Sequence, residues 1–322
     1  MNDQSSTEAP ASGAPNNSAD NWIDPKEQGV PWINHELQQR VRWRNGDIVV
    51  SVPVKSGTTW TMNIVHQLRS GGDPDLDDVY REVPWLEFLP GPTAIPEELV
   101  RSIDSMPDDR RRAFKTHSGP GMMPYHAPGS GTDVQYLVIA RNPDEVLASF
   151  YPFVKAHSDE WFSLWGIDKQ KFIPADIGTY FDTFGKTMLP GGLFGFLSAW
   201  WPLRHASNVL LLHFSDMKRD HEGSVRQISK FLGFEPTDEQ WSAILEYTSF
   251  PWMKRHEDKF EMRHAADVPV LDSGAMVRKG KTGAAAEDGV TPEMSAELKT
   301  LGEDILTDKQ ALKWLYSGGA LP

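Results

Sequence analysis

The sequence predicts an α/β protein, a doubly wound fold with a central parallel sheet flanked by helices. Short β-rich runs alternate with longer segments of helical period from Gly46 onward. Two of those runs, YLVIA and VLLL, are continuously apolar, as strands buried on both faces must be. The first strand candidate also leads straight into VPVKSGTTW (52 to 60), a Ser-, Gly- and Thr-rich loop ahead of a helix.

The strand candidates, in order, are GDIVVSVP (46 to 53), RAFKTH (112 to 117), VQYLVIAR (134 to 141) and NVLLLHF (208 to 214). Helical periodicity predicts helices over Thr59–Arg69, Pro143–Ala156, Glu222–Leu232, Thr237–Tyr247 and Pro292–Ile305. Pro143 suits a first helical turn, because its missing N–H costs nothing there. Thr291 is placed to cap the last helix. No internal repeat is visible.

Composition sets limits on function. The hydrophobic fraction of 39%, with 11% aromatics, is enough for a substantial core. A net charge of −13, from 32 basic and 45 acidic residues, argues against coating nucleic acid or an anionic membrane. Any anionic ligand must therefore be held by a local cluster of cations. With no cysteine, disulfides, thiolate zinc sites and thiol nucleophiles are excluded. The opening residues lack a basic start and an apolar core, so they read neither as a secretory signal nor as a transit peptide. No run approaches the roughly 18 apolar residues of a membrane span. The expectation is a cytoplasmic protein with a disordered tail over residues 1–20 and a single domain over 21–322. The sequon Asn16-Asn17-Ser18 is read as coincidence.

The loop VPVKSGTTW can aim backbone N–H groups at an anion, with Lys55 as a mobile positive charge. Strand, anion-binding turn and helix make it P-loop-like, but the Walker order G-x-x-x-x-G-K-[ST] is inverted. Lys55 precedes Ser56-Gly57-Thr58-Thr59, which disfavours an ATP or GTP kinase. The order P-x-K-S-G-T-T-W resembles the 5′-phosphosulfate loop of the cytosolic sulfotransferases. That family uses 3′-phosphoadenosine 5′-phosphosulfate (PAPS) and releases 3′-phosphoadenosine 5′-phosphate (PAP). Further segments match the family in order up to Gly283: FKTH (114 to 117), ARNPDEVLASFYPF (140 to 153), VLLLHFSDMK (209 to 218), YTSFPWMK (247 to 254) and RKGKTG (278 to 283).

The resemblance implies a P-loop-like sulfotransferase fold and a set of roles. Ser56, Gly57, Thr58 and Thr59 would hold the 5′-phosphate, and Trp60 would stack on adenine. Lys55 would meet charge building on the leaving oxygen, and His117 would be the base, with Lys115 beside it. Arg141, Ser149, Arg278, Lys279 and the Gly280 amide would hold the 3′-phosphate, with Ser149 also restraining Lys55. Thr248, Ser249, Phe214 and Met276 would lie near the nucleotide. Three positions depart from the pattern: Phe214 replaces a tyrosine, Met276 a phenylalanine, and AAAEDG from Ala284 stands where D-W-K is usual. The last change touches the nucleotide clamp and the dimer motif, so no dimer is predicted.

The expected acceptor is a hydroxyl or amine of a small phenolic or lipophilic molecule, because VPWLEFL, MMPYH, FYPF and EWFSLW between the motifs are aromatic. RHEDKFEMRH (255 to 264) offers His256, Glu257, Glu261 and His264 but no metal-ligand spacing. It reads as a solvated helix face, and no metal site is expected. His213 reads as structural. The rivals are a nucleotide kinase of related fold and a catalytically silent PAP- or PAPS-binding protein; retention of both Lys55 and His117 counts against silence. Secretory glycan sulfotransferases share the cradle logic but usually carry a membrane anchor.

Overall fold

The computed structural model describes residues 30–322. The tail expected over residues 1–20, with its sequon, lies outside the described residues. Among the described residues four strands form one parallel sheet: β1 (Asp47–Ser51), β2 (Ala113–Thr116), β3 (Val134–Ala140) and β4 (Val209–His213), in the order β2-β1-β3-β4. All four coincide with the runs read from the sequence. Val50 pairs with Lys115 on one side and with Leu137 on the other, and Ala140 pairs with His213.

The strands are buried on both faces by period-two alternation. Ile48, Val50, Leu137 and Ile139 enter one apolar cluster; Val49, Tyr136, Val138 and Ala140 enter another. The first cluster is covered by the helices Thr58–Ser70, His221–Leu232 and Asp238–Tyr247. The second is covered by Pro143–Lys155, Pro292–Glu303 and Lys309–Ser317. The expected caps are present: Thr291 accepts from the Met294 N–H at 3.3 Å, and Pro143 occupies the first turn of its helix.

Between Ile177 and Leu203 the chain stays helical where the sequence reading assigned nothing. Pro190, Gly191, Gly192 and Gly195 read as breakers. The helix passes through them by widening into π turns at Phe181–Gly185 and Pro190–Gly195. RHEDKFEMRH is not a solvated helix face either. Glu257–Phe260 is a 3₁₀ turn, and Phe260, Met262 and His264 are buried. Phe260 and Met262 each enter an apolar cluster, which turns that side of the run inward, while Glu257 and Glu261 pair with Lys254 and Arg263.

One buried ion pair ties the amino-terminal ends of β1 and β2. Arg112 Nε donates to Asp47 Oδ1 at 2.9 Å, and the guanidinium also donates to the Ile103 and Arg42 carbonyls. Both side chains are 2% exposed. Removing one partner strands a buried charge, so Arg112→Met is expected to lower the unfolding free energy by about 3 kcal/mol or more. Chemical denaturation measures this; a loss below about 1 kcal/mol would contradict the pairing.

Candidate active site at the carboxyl ends of the strands

Each strand delivers a functional residue at its carboxyl end. Lys55 follows β1, His117 follows β2, Arg141 follows β3 and Phe214 follows β4. Because the sheet is parallel and β1 lies between β2 and β3, these ends border one crevice. All four residues line a single cavity of about 390 Å³.

The turn after β1 is shaped for an anion. Lys55 has φ 57 and Gly57 φ 94, the left-handed region that only glycine enters freely. Arg141 holds the strained turn by donating to the Lys55 carbonyl at 2.7 Å. At Gly57 a Cβ would sit 2.7 Å from the Phe214 ring, so glycine serves both conformation and packing. The Thr58–Ser70 helix starts here, and its first N–H groups have no intrahelical partner. Thr61 is the first residue to bond back, to the Gly57 carbonyl at 2.9 Å. Gly57, Thr58, Thr59 and Trp60 line the cavity. Ser56 is fully buried outside that lining; its N–H donates to the Pro53 carbonyl and its hydroxyl to the Val54 carbonyl.

Thr248 and Ser249 also stay off the lining. Thr248 lies behind Trp60, its carbonyl accepting from the indole N–H at 2.8 Å. Ser249 caps the Phe250–Arg255 helix. Both therefore fix Trp60 and Phe250, which do line the cavity.

His117 sits under the mouth of β2 with its tautomer dictated by its neighbour. Its Nδ1 lies 2.6 Å from the Val52 carbonyl, which can only accept. Nδ1 therefore carries the proton and Nε2 carries a lone pair. Burial, helped by the Lys115 and Lys55 charges and opposed by the Val52 bond, holds His117 well below the usual histidine range. It is a neutral imidazole at pH 7. Lys115 is nearly inaccessible, its Nζ 3.5 Å from the centre of the Trp85 ring. Burial lowers it to about 7, although Glu87 pulls the other way. Burial also lowers Lys55 to about 7, aided by Arg141, Arg278 and Lys115. The Lys55 Nζ lies 4.0 Å over the Phe153 ring, one turn along the same helix from Ser149. Ser149 lines the cavity, and no hydrogen bond joins it to Lys55 among the described residues.

Sequence reasoning missed Glu87. This carboxylate is 1% exposed. Its Oε1 accepts from the Thr116 hydroxyl at 2.9 Å and from the His117 N–H at 2.8 Å. It thereby fixes the peptide that carries the imidazole. The signal in the sequence is a lone acid inside the otherwise apolar run VPWLEFL.

The remaining cations line the same cavity. Arg141 packs on the Phe214 ring at 4.4 Å and pairs with Glu145 at 3.1 Å. Arg278 and Lys279 both pair with Asp288. Gly280 has φ 57, and a Cβ there would meet the Phe250 ring at 2.5 Å. Met276 accepts from the Tyr80 hydroxyl at 3.9 Å beside the Thr59 hydroxyl. The cavity is lined by Lys55, Lys115, Arg141, Lys218, Arg278, Lys279 and Lys281 against only Glu145 and Asp288. An acidic chain thus holds a basic pocket by concentrating cations, and the open helix N-terminus adds its dipole. That donor set fits a nucleotide with two separated phosphate groups.

The other arm of the cavity is aromatic, walled by Trp32, Trp85, Phe153, Trp161, Phe172 and Met262. His157 and His264 border it; burial lowers each to about 4, so both are neutral. Of the decoys, His213 is structural, held between Ser215 and the Leu315 carbonyl. His256 stacks on Trp252.

Comparison with known proteins follows the same outline. The sulfotransferase domain family model matches residues 45–310. Human sulfotransferase 2A1 is 30% identical over 246 residues, covering 74% of this chain and 77% of its own. Rat sulfotransferase 1A1 is 29% identical over 273 residues, covering 80% and 85%. Among solved structures, mouse sulfotransferase SULT7A1 complexed with PAP superposes with a TM-score of 0.63 at 20% identity, covering 87% of this chain and 90% of that one. Retinol dehydratase in a complex with retinol and PAP gives 0.64 at 21% identity, covering 89% and 86%. The match runs from the start of β1 past the late basic loop and spans most of the chain, so the chain belongs to the sulfotransferase domain family.

Proposed function

We propose that this sulfotransferase moves a sulfuryl group from PAPS to a hydroxyl or amine of a small lipophilic or phenolic acceptor, releasing PAP. The observation that carries this reading is the His117 tautomer. Its Nδ1 proton is committed to Val52, so Nε2 is free to accept a proton, in the cavity that also holds Lys55 and Lys115. A protein that only bound nucleotide would have no use for a base so placed.

PAPS would supply the sulfuryl group, which passes to the acceptor, and its 5′-phosphate would be the leaving group, departing as PAP. Everything else is done by the chain. His117 Nε2 takes the proton from the acceptor as the new S–O or S–N bond forms. The Lys55 ammonium and the free amides of Gly57 to Trp60 face the phosphate oxygen that keeps the electron pair of the broken bond. Lys115 adds positive charge from the β2 side. Arg141, Ser149, Arg278, Lys279 and the Gly280 amide hold the 3′-phosphate, while Trp60, Phe214 and Met276 hold the base. Ser56, Thr248 and Ser249 serve from behind by fixing the loop and Trp60.

The aromatic arm supports an apolar acceptor. Phe184 and Met188, 38% and 39% exposed, stand at its edge on the π-widened helix. Retinol and androsterone, the molecules held by solved retinol dehydratase structures, are lipophilic alcohols of the kind such an arm admits. A cytoplasmic setting belongs to the same proposal and rests on the resemblance alone.

His117→Ala is expected to cut turnover by about 10²-fold or more while PAP affinity stays within about twofold; undiminished turnover would remove the base. Glu87→Ala frees the His117 peptide, so turnover should fall by about 10²-fold with PAP affinity preserved. A proportional loss of PAP affinity would instead mark general unfolding. Lys55 and Lys115, both at about 7, are mostly unprotonated at pH 8 in the free protein. A bound polyanion favours their charged forms, so PAP binding should take up protons at pH 8 and fewer at pH 6, and affinity should fall as pH rises through about 7. Calorimetry in two buffers of different ionisation enthalpy measures the uptake; none at pH 8 would contradict it.

A further inference from the structure

The segment after Gly283, where the family's D-W-K is replaced, is not an empty spacer. Ala284, Ala285 and Ala286 bring no polar side chain to the nucleotide, but they form a turn. The Asp288 N–H donates to the Ala284 and Ala285 carbonyls at 3.1 and 3.2 Å, and Gly289 and Val290 bond back to Ala286 and Ala285. Gly289 holds φ 96 close to Ile177, so the turn is built for this path.

That turn carries the Asp288 carboxylate back onto the two cations of the R-K-G motif. Its Oδ2 lies 3.4 Å from the Arg278 guanidinium, and its Oδ1 pairs directly with the Lys279 ammonium. The carboxylate is 13% exposed and lines the cavity with both partners. The same loop is anchored a second time: the Gly283 N–H donates to Glu145 Oε1 at 2.5 Å, and Glu145 Oε2 pairs with Arg141.

We propose that Asp288 sets the affinity for the 3′-phosphate: it is an intramolecular anion that occupies Arg278 and Lys279 in the free protein and that the 3′-phosphate must displace. This rests on the nucleotide reading of the cavity. A phosphate has more charge and more acceptor oxygens than a carboxylate, so it wins the cations, but the displaced or neighbouring carboxylate costs part of the gain. The cost falls only on ligands that carry a 3′-phosphate. Both PAPS and PAP are held less tightly, and the product leaves faster.

Calorimetric titration of the full chain with PAP and with adenosine 5′-monophosphate, which lacks the 3′-phosphate, tests this in wild type, Asp288→Asn and Asp288→Ala. Asn keeps the shape and an acceptor oxygen, and thermal melting checks that both variants fold. Both variants should bind PAP about tenfold tighter with adenosine 5′-monophosphate unchanged within about twofold, and the KM for PAPS should fall with PAP affinity. If wild type prefers PAP but the variants bind it equally or more weakly, Asp288 is a bystander or orients the cations, and the proposal fails. An equal gain for adenosine 5′-monophosphate would also overturn it, since the effect would then be general charge. If wild type shows no preference for PAP, the nucleotide reading itself falls.

Discussion

All four strands run in the same direction, so their carbonyl ends reach one edge of the sheet, and everything the protein does depends on that edge. A parallel sheet cannot expose either face, and both are covered here by apolar side chains and helices. The edge is left as the place where polar groups can gather without breaking the core. The order β2-β1-β3-β4 sets His117, the Lys55 turn, Arg141 and Phe214 side by side along it. Backbone geometry thus assembles side chains that are up to 159 positions apart in the chain.

Within that crevice the chemistry is governed by crowded cations in poor contact with water. Lys55 and Lys115 are pushed down to about 7 mainly by burial, with neighbouring charges adding to the effect at Lys55. The protein tolerates this because carboxylates share the load at the wall, Glu145 with Arg141 and Asp288 with Arg278 and Lys279. A polyanionic ligand relieves the repulsion that remains. The imidazole of His117, by contrast, stays neutral and oriented because a main-chain carbonyl fixes its tautomer and Glu87 fixes its peptide.

Features carried by local sequence were legible before the structure. The four strands, the anion turn and the late basic loop each depend on residues close together in the chain, and they appear where the pattern put them. Features that depend on tertiary neighbours were not. Ser56, Thr248 and Ser249 sit in matching segments, yet they turn away from the cavity because the turn and the helix cap use their polar groups. Glu87 carries no motif; its role exists only because β2 passes beside it. The helix through Pro190 and Gly191 was hidden because widened turns accept residues that end an ordinary helix. Read by position, the segment after Gly283 is a departure that touches the nucleotide clamp and the dimer motif, and only its fold reveals that Asp288 returns to the cations.

The most direct measurement is a crystal structure of the protein soaked with PAP. The 5′-phosphate should lie on the amides of Gly57 to Trp60 with Lys55 within reach, the adenine beside Trp60, and the 3′-phosphate on Arg141, Arg278 and Lys279. His117 Nε2 should face the aromatic arm. A nucleotide bound away from the strand ends, or with its 3′-phosphate remote from Arg278 and Lys279, would contradict the assignment of this crevice to sulfuryl transfer.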